Sequence, residues 1–402
     1  MVGIDKMIFS LALMLLLGMF LGWICKKMHF PSLFGMIVTG IILGPYVFNL
    51  VDASILNASS DLRRIALIII LIRAGLSLNV KDLKKVGRPA VLMCFVPACF
   101  EMVGMVILAP IILNISILDA AILGAVIAAV SPAVIVPKML KLMDDGYGTK
   151  KGIPQMILAG ASVDDVFVIV MFSTFTGLAT GVDGTILSVV NIPVSIVIGA
   201  AFGILLGVIS AWFFKKIHMR DTVKVIILLS FSFLIVTIED KIGEIIPFAS
   251  LIGVMCVGIG VNQCYDKLAK RLSDKFNKIW VLAEIMLFVL VGTTVDIRSL
   301  SYTVIPAIIL ISLVLFFRMA GVFICVLGTK LNVKERTFCM LAYLPKATVQ
   351  AAIGGVPLAM GLGCGNIVLT TAVVSILFTA PLGAFLIELT YKKLLEKESE
   401  KN

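Results

Sequence analysis

Thirteen predominantly apolar runs succeed one another along the chain, at 7–25, 33–51, 62–79, 88–113, 117–140, 154–181, 186–214, 222–238, 244–262, 278–296, 302–327, 335–361 and 365–390. Each is near the length, about 20 residues, at which a helix crosses the hydrocarbon core of a bilayer. No water is available there to backbone N–H and C=O groups, so a spanning segment has to satisfy them itself. The expectation is an all-α integral membrane protein with about 13 transmembrane helices. Composition agrees: 60% of the 402 residues are hydrophobic and only 14% charged, where soluble domains carry about a quarter. That leaves no room for a sizeable water-soluble domain.

The basic residues give a direction. Of the 34 Lys and Arg, 26 fall in alternate loops (26–32, 80–88, 138–153, 215–224, 263–278, 328–336) and in the tail after 391. The N-terminus and the other connections hold only Lys6, Arg63, Arg64, Lys241 and Arg298, while Arg73, Arg318 and Lys346 lie within spans. Positive loops stay in the cytoplasm, so the N-terminus is expected outside and the C-terminus inside. The net charge of +10 then reflects topology and anionic lipid headgroups, not nucleic acid. The first run lacks a basic leader and reads as a retained helix. The eight cysteines are scattered without a C-x-x-C and read as packing residues. His29 and His218 fall in basic loops and read as solvated.

An odd helix count divides into six, a connector at 186–214, and six more that begin on the opposite side. That is the parity of inverted-topology repeats. The fifth helix of each half carries corresponding punctuation: Ser131-Pro132 and Pro137 in one, Pro345-Lys346, Gly354-Gly355 and Pro357 in the other. Proline removes a backbone donor and clashes with the preceding turn. Non-helical backbone at membrane depth is tolerated where it is buried in protein or lines a cavity. Two discontinuous helices therefore point to an ion site near the midplane.

Charged residues inside apolar runs mark the chemistry, because a carboxylate in a bilayer is costly unless it binds something. Asp164 and Asp165 stand side by side in the sixth run, after the flexible-looking Gly160-Ala161-Ser162. Adjacent helical positions point about 100° apart, so the two carboxylates cannot act as equals. Asp165 is expected as the principal ligand of a cation or proton, with Asp164 assisting. Glu101 and Arg318 lie in the middles of the fourth and eleventh runs and are natural partners; the alternative sets Arg318 against Asp164. Lys346, at the second break, is expected to neutralise unwound carbonyls and half-helix C-termini. Arg73 and Glu284 are also intramembrane, with weaker assignments.

The segments GAVIAAVSPAVIVPKML, DDGYGTKKGIPQMILAGASVDDV and LPKATVQAAIGG closely resemble the monovalent cation/proton antiporters, nearest the NHA branch of sodium/hydrogen exchangers. The resemblance covers nearly the whole chain. It implies a homodimer whose protomers each have a core bundle, here 88–181 and 302–390, and a dimerisation part, here 1–79 and 222–296, moving relative to one another in alternating access. It implies that 117–140 and 335–361 cross, and that Val130, Ser131 and Ala161 border the cation held by Asp165 and Asp164. Where much of that family has a lysine beside the first aspartate, this chain has Arg318, which does not readily release a proton.

The reading is secondary exchange of Na+ or Li+ for H+ across a bacterial cell membrane, with no cofactor beyond the transported ions and no enzyme activity. Alternatives are a sodium-coupled symporter of an organic anion and a K+/H+ antiporter. No G-x-x-x-x-G-K-[ST] occurs, so a nucleotide-driven pump is not expected. Adjacent carboxylates on one helix do not suit an aspartyl protease, which opposes two from different helices.

Overall fold

A computed structural model describes residues 6–28, 30–77, 87–180, 186–242, 248–295 and 300–397. Their regular structure is helical throughout. The elements are α1 (Lys6–Lys27), α2 (Ser32–Leu43), α3 (Ala53–Asn57), α4 (Ser59–Ser77), α5 (Arg88–Met93), α6 (Val96–Leu113), α7 (Ile117–Ala128), α8 (Pro132–Asp144) and α9 (Ile153–Ala179). They continue with α10 (Ile186–Lys216), α11 (Asp221–Ile242), α12 (Ser250–Cys264), α13 (Asp266–Thr293), α14 (Leu300–Val326), α15 (Val333–Ala342), α16 (Thr348–Ile353), α17 (Val356–Ala359) and α18 (Gly365–Leu394). Counting α5–α6 and α7–α8 as single crossings, nine spans among the described residues are long and apolar enough for a bilayer; Ser32–Leu43, Ser250–Cys264 and Thr348–Ala359 are shorter apolar helices. The expectation of about 13 thus meets nine spans plus shorter pieces. His29, Arg298 and most of the basic loop 80–88 lie outside the described residues; His218 is exposed.

Departures from the expected boundaries have local causes. The second run ends at Leu43 because Gly44-Pro45 follows, and a residue before proline is pushed out of the helical region. The fourth is broken at Cys94-Phe95, ahead of Val96-Pro97. The tenth begins a dozen residues early, at Asp266. Its first turns carry too much charge for a hydropathy reading, yet Leu268, Leu272 and Phe276 recur every four residues and are fully buried. In the opposite direction, Gly160-Ala161-Ser162 produces no break: α9 runs through it.

Contacts divide the chain into two compact units. One gathers the described residues of Met1–Ser60, Val80–Val168 and Ile285–Asn402; the other gathers those of Asp61–Asn79 and Ile169–Glu284. In the second unit α10 and α12 approach so closely that a Cβ on Gly199, Gly203 or Gly207 would lie 2.1–2.3 Å from a carbonyl oxygen of Ala249, Gly253 or Val257. Small residues every fourth position let membrane helices meet backbone to backbone.

The first unit holds both interrupted helices. One end of it is tied by polar contacts: Tyr147 and Lys397 form an antiparallel bridge, and Lys151 donates to the buried Glu335 at 2.8 Å. That carboxylate beside it raises the Lys151 pKa above the ordinary lysine value. Glu335 also completes a capping box with Asn332 that starts α15.

Candidate functional site

Proline shapes both breaks. Pro132 occupies the first turn of α8, where its missing N–H costs nothing, and Ser131 before it is extended at φ −92°, ψ 108°. Residues 129–131 therefore leave the helical path between α7 and α8. Pro345 acts likewise in 344–347, between α15 and α16. The two interruptions meet: the Ser131 N–H donates to the Pro345 carbonyl at 2.8 Å. The discontinuous helices thus cross at their breaks.

Close packing brings the buried charges to that crossing. A Cβ on Gly104 would lie 2.7 Å from the Phe317 ring, and one on Gly321 2.8 Å from the Pro97 Cα, so both positions need glycine for α6 to meet α14. Glu101 and Arg318 stand three residues before these glycines, on the same helix faces. Arg318 Nη1 donates to Glu101 Oε2 at 2.6 Å, and Nη2 donates to Asp164 Oδ2 at 3.1 Å. Both partners weighed for Arg318 are present at once. The same guanidinium donates to the carbonyls of Ala128 and Tyr343, the latter at 2.6 Å. These end α7 and α15, where a positive charge is favoured.

Lys346 does something different from what was expected. Its Nζ donates to Glu101 Oε2 at 2.5 Å and touches no half-helix carbonyl recorded among the described residues. The carbonyl work falls to Arg318 and to Gln350, whose amide donates to Ile127 O at 3.1 Å and Ala129 O at 2.8 Å. The reason is that an ammonium in so dry a place takes a carboxylate over a carbonyl dipole. Gln350 was missed in the sequence. Its signal is one long amide in the small-residue stretch ATVQAAIGG.

The aspartates differ as their 100° separation requires. Asp164 is fully buried and accepts both from Arg318 and, at 2.8 Å, from the Val130 N–H. Asp165 retains 9% exposure, and its Oδ1 has no hydrogen-bond partner among the described residues. Ser131 contributes its N–H to the crossing, and its buried Oγ has no partner among the described residues. Ala161, one turn before Asp165, is buried in a cluster with Met93, Val130 and Tyr343. Arg73 and Glu284 belong to the other unit, where they interact electrostatically with each other.

At the crossing, three carboxylates (Glu101, Asp164, Asp165) and two cations (Arg318, Lys346) are buried together, apart from Glu335 with its own partner Lys151. Among the described residues no group of three or more His, Cys, Asp or Glu is arranged to cage a resident metal. Buried carboxylates in surplus beside interrupted backbone give the crossing a chemistry that favours positive charge over negative.

The family of sodium/hydrogen exchangers, in its transmembrane form, matches residues 11–393. The chain belongs to the sodium/hydrogen exchanger family. It is 34% identical over 390 residues to human sodium/hydrogen exchanger 9B2, covering 92% of this chain and 71% of that one. It is 29% identical to human sodium/hydrogen exchanger 9B1, over 91% and 73% of the two chains. The fold is that of the sodium proton antiporter MjNhaP1 from Methanocaldococcus jannaschii, with TM-score 0.82, 18% identity, and coverage of 97% and 99%.

Proposed function

We propose that this exchanger-family chain swaps a monovalent cation, Na+ or Li+, for protons by alternating access, with Asp165 as the carboxylate the two ions share. One observation carries the reading. Asp165 is the aspartate with residual exposure and no hydrogen bond among the described residues, whereas Asp164, although its Oδ1 is also unpartnered, is committed through Oδ2 to Arg318 and Val130. A buried, unpaired carboxylate is costly in its charged form, so it holds either a cation or a proton.

The charge count supports a stoichiometry. Arg318 remains protonated, and Lys346 is held against Glu101 at 2.5 Å. Two cations offset two of the three carboxylates and leave a surplus of one. One Na+ or one proton cancels it, which makes the exchange one-for-one and electroneutral. The organic-anion symporter finds less support, since an anion would need spare positive charge where the cluster has a negative surplus.

Proteoliposomes test this directly. Addition of Na+ or Li+ is expected to drive proton movement at a rate insensitive to an imposed membrane potential, and Asp165→Asn is expected to abolish it. Exchange surviving in Asp165→Asn would end the assignment of that residue. A rate that follows the potential would end the one-for-one count.

A further inference from the structure

The second unit holds a cavity of about 400 Å³ that transport chemistry does not use, where the end of α10 meets the starts of α11 and α13. Its walls carry four basic side chains, Lys215, Arg220, Lys224 and Arg271, with His218, against the single carboxylate of Asp221. Lys224 is 6% exposed. Asp221 organises the cations instead of cancelling them, holding Lys224 at 3.3 Å and Arg271 at 3.1 Å. Lys215 donates to the Cys264 carbonyl at 2.9 Å, which fixes its stem along the wall. Arg220 is exposed, with no ion pair recorded among the described residues.

The same helix ends also turn apolar side chains outward. Trp212 and Ile226 are each 58% exposed, and Val223 is 43% exposed. Lys216 lies over the Trp212 ring at 3.9 Å. An aromatic ring capped by an ammonium at a helix end is typical of the membrane–water boundary. A cationic hollow on the same helix ends as exposed apolar side chains has the two-part chemistry of an anionic glycerophospholipid, whose phosphate accepts several charge-assisted hydrogen bonds.

We propose that this cavity binds a phosphate-bearing anion, and that its occupant is the headgroup of an anionic glycerophospholipid whose acyl chains run along Trp212, Val223 and Ile226. Purified protein in a non-ionic detergent is compared with added phosphatidylglycerol, phosphatidylcholine or inorganic phosphate, by thermal unfolding and by lipid retention in native mass spectrometry. Phosphatidylglycerol is expected to raise Tm and remain bound, while the other two leave Tm unchanged. In Arg220→Gln/Arg271→Gln the retained phosphatidylglycerol falls about tenfold or more, given what each basic residue contributes near an anionic surface. Its Tm without lipid serves as the folding control, and Arg220→Gln alone supplies a milder variant with a smaller fall. Equal retention of phosphatidylcholine, or unchanged phosphatidylglycerol binding in both variants, overturns the site. Inorganic phosphate acting as strongly as phosphatidylglycerol overturns the lipid as occupant.

Discussion

The α6–α14 crossing in one unit and the α10–α12 crossing in the other use the same steric device and reach opposite ends. Both rely on glycines where a single Cβ would collide with the facing helix. Along the glycines of α10 the approach to α12 is backbone against backbone, and among the described residues a charge joins the two helices only at their ends, where Lys215 donates to the Cys264 carbonyl. Between α6 and α14 it delivers Glu101 and Arg318 to a cluster that includes Lys346 and Asp164. Close packing is thus a means between α6 and α14 and most of the interaction between α10 and α12. A crossing built on contact alone tolerates any change that preserves shape, whereas one that positions charges fails when one charge is left over.

The strongest way to break this contrast is Arg318→Met. It strands Glu101 and Asp164 and leaves the carbonyls of Ala128 and Tyr343 without their donor. The expected loss is about 3–5 kcal/mol, as for breaking a buried ion pair, read as a large fall in Tm and loss of exchange. Gly203→Ala comes next, because the added Cβ would lie 2.1 Å from the Gly253 carbonyl. Overpacking of this kind costs about 1–3 kcal/mol, and the apparent cation affinity of the folded fraction is expected to stay unchanged. Gln350→Leu removes the donor to Ile127 and Ala129 and should cost about 1–3 kcal/mol for buried acceptors left unsatisfied, with a raised KM for Na+. Asp165→Asn sharpens the comparison at the small end. Its unpartnered oxygen gives stability nothing, so Tm holds or rises while exchange disappears. Asp164→Asn, which loosens Arg318, lowers Tm. If both aspartates lowered Tm alike, their division of labour would be wrong.

Much of this was legible in the chain. Apolar runs announce helices because lipid forces backbone self-satisfaction. Ser131-Pro132 and Pro345 announce breaks because proline cannot continue the ladder. Asp164, Asp165, Glu101, Arg318 and Lys346 stand out because charge is rare in such runs. Partners were harder. Whether Arg318 meets Glu101 or Asp164 depends on where three helices converge, and the geometry gives it both. The reassignment of Lys346 and the part of Gln350 follow from distances of a few ångströms that no spacing encodes. The early start of α13 was hidden for the opposite reason, since its amphipathic stripe is too charged for hydropathy. The glycines of α10 and the strip of α12 that they fit went unread, because which helix faces them is set by tertiary packing.

The hydrogen bond from Ser131 to Pro345 also bears on how the breaks can move. It joins the two interruptions at a buried point, where the Ser131 N–H finds its acceptor across the crossing and not within its own helix. Sliding one broken helix past the other would sacrifice it, so the pair is mechanically a pinned scissor joint. For the proposed exchange this predicts that an ion lodged there travels with the joint as one body, without an open conduit between the two sides.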